Sequence, residues 1–521
     1  MATTFLSALS LALLLSSASA SAYKGGSWQQ GECDITRINA MEPSFRLQSE
    51  GGVSEFWDHN ANDFQCAGVS LHRHTIRTRG LLLPVYHNAP MLVYVLQGSG
   101  IYGVAISGCP ETFESPQQSP EQGMRSQKFG DRHQQIGFLK QGDVVAIRAG
   151  DAHWAYNNGD QDLVVVVLQD NSNNANQLDQ NPRSFFLAGN PNWGQEQQKE
   201  QLRFHGERRH EQKQHEFGNV FKGMSVESLA EAFDVEVETA RKLQSENDER
   251  GMIVIVAKGL QVIKPPLRER ETESNGIDET ICSTKNKVNV DSPSRAAIYN
   301  PQAGRFSTVN RFTLPLLQFI QLSFAKGSLH RNAIMAPHWL MNAHSILYIT
   351  RGDKFIQVVN HKGQAVFEGQ VREGQVLVVP QNFVVLKQAG EQGCEWVEFQ
   401  TNANAMINTL SGRTSALRGL PVDVVANAYQ ISREEAETLK NSRRETLLFS
   451  SSRPSTSLKM MHAFCQHKRS SISVAMGRFM DAVVVEDEHP GKECIKEYYF
   501  IERLRTLGGT AKLAFDVIHY P

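Results

Sequence analysis

The chain predicts an all-β-dominated fold built twice on one plan, each copy an antiparallel barrel or sandwich followed by a small helical segment. Three observations carry this. Short Val-, Ile- and Tyr-rich runs are punctuated by Gly, Pro and Asn, the pattern of antiparallel strands joined by turns. Three stretches recur in the same order in the two halves. The length, 521 residues, suits two hydrophobic cores.

The first repeat pairs Leu92-Val-Tyr-Val-Leu-Gln-Gly, closed by Gly98, with Ile346-Leu-Tyr-Ile-Thr-Arg-Gly, closed by Gly352. The second pairs Gly142-Asp-Val-Val-Ala-Ile-Arg with Gly374-Gln-Val-Leu-Val-Val-Pro. The third pairs Gly223-Met-Ser-Val-Glu-Ser-Leu-Ala-Glu-Ala-Phe with Gly419-Leu-Pro-Val-Asp-Val-Val-Ala-Asn-Ala-Tyr. The offsets, 254, 232 and 196 residues, shrink as loops of unequal length between the same elements require. The runs Leu163 to Leu168 and Met252 to Ala257 have buried-strand length, and Gly98-Ser-Gly100 reads as a strand turn.

Each copy then turns helical. Ser225 caps a stretch through Phe233, and Asp234 precedes a second from Val235 to Leu243. In the other copy Pro421 fits the first turn of a helix to Tyr429, and Ser432 with Glu435 forms a capping box for Glu434 to Lys440. Val226, Leu229, Ala230 and Phe233 fall at spacings of three and four and form one apolar face. It covers either its own barrel or a neighbouring subunit; periodicity does not choose.

Composition narrows the function. With 53 basic and 55 acidic side chains, a net charge of −2 gives no reason to expect nucleic acid or an anionic membrane as partner. The apolar run from Phe5 to Leu15, with Ala18 and Ala20 behind it, reads as a signal peptide over 1–20, or to 22, although a basic n-region is lacking. No later stretch of 18 apolar residues follows, so a mature form without a membrane span is expected. Seven cysteines in an oxidising compartment suggest two or three bridges, and none forms a C-x-x-C pair. Asn and Gln total 66, concentrated in Asn171 to Asn181 and Gln195 to Gln214, segments expected to stay mobile on the surface. That richness suits an ordinary polar linker or a nitrogen store. The sequence contains no G-x-S-x-G elbow, P-loop or H-E-x-x-H motif, and no N-x-S/T sequon; its G-x-G-x-x-G match, Gly98 to Gly103, falls on the strand turn and is not followed by a helical pattern.

The stretch Asn275-Gly276-Ile277-Asp278-Glu279-Thr280-Ile281-Cys282 follows the charged run Arg268 to Glu273, which a protease can reach. By itself Asn-Gly is more often a turn or a deamidation site. Together with Asn39-Ala-Met-Glu-Pro, Asn88-Ala-Pro, Ile298-Tyr-Asn-Pro-Gln-Ala-Gly-Arg, Asn342-Ala-His-Ser, Val371-Arg-Glu-Gly-Gln and Ile431-Ser-Arg-Glu-Glu-Ala, it closely resembles the legumin-type 11S seed storage globulins. The resemblance runs from about Gly31 to Ser450. It implies two cupin (jelly-roll) barrels and a vacuolar asparaginyl endopeptidase that cuts between Asn275 and Gly276 into an acidic and a basic chain. It also implies bonds Cys33–Cys66 within the acidic chain and Cys109–Cys282 across the cut, the latter preventing loss of one chain. Trimers that mature to hexamers are implied as well, with the helical segments reaching the adjacent subunit. The expected domains are 31–245 for the first cupin with its helices, 246–275 for a strand-like end and polar loop, 276–450 for the second cupin with its helices, and 451–521 for an extension. That extension departs from the family pattern and is either genuine or a misread frame.

Enzymatic cupins hold a metal with a His-x-His pair, a Glu and a later His. In the first copy Val85, His87 and Met91 stand at the first-motif positions, and His153 follows Arg148-Ala149-Gly150 in the second, with Asn157 beyond. In the second copy Trp339, Met341, Ser345 and Val385 retain no ligand, and Asn382 stands at the turn Gly. His87 and His153 are weak metal candidates; the alternative is polar residues near a barrel mouth. His72, His74, His330 and His338 offer no convincing ligand set. The expected function is a nutrient reservoir in the protein storage vacuole, without catalysis or cofactor. The alternatives are a metal-dependent bicupin oxidase or dioxygenase, and a carbohydrate-binding cupin using Trp154 and Trp339.

Overall fold

Residues 33, 35–106, 135–190, 218–245, 247–260, 284–292 and 296–451 are described by a computed structural model. The expected signal peptide, the cut at Asn275 and Gly276, Cys109, Cys282 and the extension after 451 lie outside the described residues.

The first domain comprises β1 (Phe45–Ser49), β2 (Gly52–Phe56), α1 (Asn62–Ala67), β3 (Val69–Ile76), β4 (Gly80–His87), β5 (Met91–Gln97), β6 (Ser99–Ala105), β7 (Gln135–Lys140), β8 (Asp143–Ile147), β9 (Ala152–Tyr156), β10 (Leu163–Asp170) and β11 (Ser184–Phe186). Helices α2 (Val226–Phe233) and α3 (Val237–Gln244) follow, then β12 (Ile253–Ile255) and β13 (Lys287–Asn289). One sheet runs β1-β2-β3-β10-β5-β8-β13, the other β11-β4-β9-β6-β7 with β12 also on β4. Gly98, at φ 83°, sits where the chain leaves β5 for β6 and changes sheet; a Cβ there would lie 2.4 Å from the Asp162 carbonyl oxygen.

The second domain comprises β14 (Ala296–Asn300), β15 (Gly304–Val309), α4 (Leu317–Ile320), β16 (Ser323–Leu329), β17 (Ile334–Leu340), β18 (Ser345–Val359), β19 (Ala365–Arg372), β20 (Val376–Val379), β21 (Val384–Gln400) and β22 (Ile407–Thr409). It ends in α5 (Ala416–Gly419), α6 (Val422–Tyr429), α7 (Arg433–Asn441) and β23 (Leu448–Phe449). Its strands form one ten-stranded sheet because β18 and β21 run unbroken through the bend that splits the first domain's sheets. The bend falls at register shifts between Ile349 and Arg351 and between Gly352 and Lys354, where Gly352 has φ 71°.

Three apolar cores result. One fills the first domain around Ile76, Val95, Val165 and Ile253, and one fills the second around Ile356, Leu377 and Trp396. The third lies between them, where Tyr94, Val144 and Val166 meet Phe324, Ile346, Val376 and Phe399. The Tyr94 and Phe324 rings stack at 5.2 Å, and Arg73 of β3 binds the Tyr348 hydroxyl at 2.7 Å.

The two halves also exchange arms. Residues 35–41 leave the first domain and lie along the second: the Ile38 N–H donates to the Val366 carbonyl, Met41 bridges Val376, and Ile35 and Ile38 join the second domain's core. In return β13, downstream of the expected cut, adds to β8 at the edge of the first domain's sheet. Lys287 reaches Asp143 and the Phe138 carbonyl there, and Asn286 accepts from Tyr102 at 2.8 Å.

Two expectations need correction. The second helix of the first copy starts at Val237, because Asp234 takes a left-handed conformation and ends α2 instead of capping α3. The Asn-rich segment from Asn171 is packed at its start, while most of 174–181 lies on the surface. Asn171 and Asn173 are buried, and the Asn173 amide donates to Asp170 at 3.0 Å and to the Ile320 carbonyl at 2.9 Å. The apolar face of α2, for which periodicity chose no partner, is covered in part: Leu229 is buried, whereas Phe233 stays 52% exposed. The capping box at Ser432 and Glu435 is formed, starting α7 one residue before Glu434, and Ser225 caps α2.

Candidate functional site: the two domain interiors

The first interior is lined by imidazoles. His72 and His74 lie two residues apart on β3 and so share one face. His87 ends β4, and His153 stands on the neighbouring β9. Ring centroids are 4.8 Å apart for His72 and His74, 6.5 Å for His72 and His87, and 5.3 Å for His87 and His153. All four are buried, and burial pulls each below its ordinary range: His74 to about 4, His72 and His87 well below, with the neighbouring imidazoles adding to the effect. For His153 burial also lowers the value, partly opposed by the Asp151 carbonyl, to which Nδ1 donates at 3.2 Å, and by the charge of the Asp151 carboxylate. His74 Nδ1 is hydrogen-bonded to the Ser54 hydroxyl at 2.8 Å, whereas His87 Nδ1 has no partner.

His87 and His153 therefore do come together, joined by two histidines that sequence reasoning set aside. The His72-x-His74 spacing was the available signal, since a strand places both on one face. The set does not fit an enzymatic cupin's metal. His87 stacks on His153 and on His72 at 25° and 22° instead of aiming nitrogens at one point. Among the described residues no three His, Cys, Asp or Glu side chains converge on a position for a metal ion.

The second interior has a different chemistry, which the sequence did not reveal. Lys387 and Glu398 of β21 form an ion pair that is almost wholly buried. The Glu398 carboxylate also accepts from Trp396 Nε1 at 2.6 Å and from the Ser345 hydroxyl at 3.0 Å. Burial alone would raise its carboxyl, but Lys387 and these donors outweigh that and hold it at about 2. Lys354 of β18 places Nζ 3.8 Å from the centre of the Trp396 ring, fully buried and without a hydrogen-bond partner. Burial draws its amine well below the ordinary lysine range, favouring the neutral form. Beside this group a cavity of about 10 Å³, room for one water, is lined by His338, Ser345, Lys387 and Glu398. His338 is held neutral, at about 3, by burial and by Lys387.

Elsewhere, Cys33 and Cys66 are joined by a disulfide, and Cys394 is a buried free thiol, raised to about 11 by burial. Trp154 and Trp339 are half-buried, and Trp154 packs over Gly103.

The Cupin family model matches residues 38–193 and 288–437. The chain is 47% identical over 476 residues to 11S globulin seed storage protein 1 of Carya illinoinensis, covering 84% of this chain and 94% of that one. It is 48% identical over 507 residues to an 11S globulin of Juglans nigra, covering 88% and 98%. The crystal structure of the coconut allergen cocosin superposes with a TM-score of 0.70 at 43% identity, covering 81% of this chain and all of that one.

Proposed function

We propose a maturation route for this chain from the premise that it belongs to the 11S seed storage globulins of the cupin superfamily and serves as a seed storage protein. It enters the secretory pathway, reaches the protein storage vacuole and is cut between Asn275 and Gly276 by an asparaginyl endopeptidase. The products are an acidic chain ending at 275 and a basic chain from 276, tied by Cys109–Cys282. Each domain is read as a jelly-roll barrel that no longer catalyses. The observation that carries the non-catalytic reading is the chemistry lining the two interiors, stacked imidazoles in one and a closed ion pair beside Trp396 in the other. The cavity beside Glu398 takes a single water, too little for a substrate.

Assembly into trimers and then hexamers is supported by the helical segments. Phe233, Val235 and Val237 stay exposed at α2 and α3, and Val424, Tyr429 and Leu439 at α6 and α7. Two separate exposed apolar faces on one chain suit a head-to-tail contact that closes into a ring. The test is intact mass of protein from seed, before and after reduction. Two chains that separate in denaturant only on reduction, split after Asn275, support the route; a single uncut chain overturns it.

A further inference from the structure

We infer that the four-imidazole cluster of the first domain is an acid-operated lock, which holds that domain closed near neutrality and releases it before the second domain as pH falls. The geometry sets the stakes. His72, His74, His87 and His153 join three strands, β3, β4 and β9, that belong to both sheets of the domain. With ring centres 4.8 to 6.5 Å apart, one added proton strains the whole group.

Little around the cluster can neutralise added charge. From β2 it faces the Ser54 hydroxyl and the Phe56 ring, with the Met252 sulfur behind Ser54. β10 presents Val165 and Val167, the register partners of His74 and His72, and β5 presents Val93 and Val95 beyond them. Gln169, further along β10, is engaged by Asn88. β11 sets Ser184 beside His87, and β4 sets Val85 beside His153. The charged groups nearby are Asp151, bonded to Arg148 at 2.8 Å, and Arg73 with Glu55, which alternate onto the opposite face of the sheet toward Tyr348. Among the described residues no carboxylate side chain lies between the rings.

Linkage gives the direction and the window. Folded values lie below the unfolded histidine value of 6.5, to about 4 for His74, so the opened state binds more protons below 6.5 and stability falls with pH from there. Each imidazole kept neutral raises the opening equilibrium about tenfold per pH unit, so four give up to about 10⁴-fold. The second domain has one such buried histidine, His338, and the partnerless amine of Lys354, together giving up to about a hundredfold. Its lowered carboxyl, Glu398, responds only below its unfolded value of 4.5. The lock stands independently of storage; its use in exposing the reserve to proteases rests on that reading.

The test is hydrogen exchange of the full chain from pH 7.5 to 4, read by mass on peptides of each domain. The expected result is loss of protection in β3, β4 and β9 between pH 6.5 and 4.5, with a steeper pH slope than in β16, β18 and β21. His153→Asn is expected to reduce the first domain's slope by about tenfold per pH unit, and His338→Asn to leave it unchanged. Equal slopes in the two domains, or a first domain that stays protected to pH 4, overturn the lock. The mass of the processed chains is measured on the same samples, so failure of the storage route is seen separately.

Discussion

The two domains answer one structural problem, a polar strip inside a β-rich shell, with opposite chemistries. The first uses four neutral imidazoles that need no counter-charge, at the cost of sensitivity to acid. The second uses Lys387 and Glu398 with donors from Trp396 and Ser345, a closed set that needs every member. The difference teaches that a duplicated fold fixes where polar groups are buried and leaves open how each is neutralised.

The comparison breaks first if the ion pair proves expendable. Glu398→Leu strands Lys387 beside Lys354 and removes the acceptor for two donors, so a loss of about 3–5 kcal/mol is expected in denaturant unfolding; a loss under 1 kcal/mol refutes the closed-set reading. Because Glu398 sits at about 2 when folded and 4.5 when unfolded, its contribution is present above pH 4.5 and is lost as pH falls toward 2. Lys354→Met should act in the other direction. It removes an amine with no partner and keeps the packing on Trp396, so a gain of about 1–3 kcal/mol at pH 7 is expected, shrinking as the wild type is taken toward pH 10.5. A destabilised Met variant would show that Lys354 has an unrecognised partner.

Between the domains, Tyr348→Phe deletes the contact with Arg73 while leaving the Glu55 pair, for an expected cost of about 1–2 kcal/mol by thermal unfolding. The helical segments sharpen the contrast further. Ser432→Ala removes a complete capping box and should cost about 1 kcal/mol, whereas Glu236, which gives α3 no side-chain cap, should accept Ser with a gain of similar size. The smallest effect is expected on reduction. With residues 35–41 lying on the second domain and β13 in the first domain's sheet, cut chains should co-elute after reduction without denaturant. Separation under those conditions would make the proposed Cys109–Cys282 bond the sole tie.

Much of this was legible in the residues. Gly98 and Gly352 marked the same bend because a positive φ beside a close backbone is a local demand that glycine meets. Ser432 and Glu435 marked a helix start because the hydrogen bonds involved span three residues. His87 and His153 were found by motif, but His72 and His74 were passed over because their significance depends on a strand packed above them. The start of the Asn171 segment departs from its reading for a similar reason: Asn173 looks solvated until Asp170 and the Ile320 carbonyl supply partners from 3 and 147 residues away.

The sequence by itself determined the duplication, the bends, the helix caps and the family, since each rests on short-range backbone geometry or on residues read in order. Only the tertiary structure decided that Lys354 and Lys387 turn inward, that the imidazoles form one cluster and that the halves trade arms. Those features depend on which faces and edges meet across hundreds of residues. Burial, which converts a lysine or a histidine from a surface charge into a neutral core group, is a property of the meeting and not of the residue.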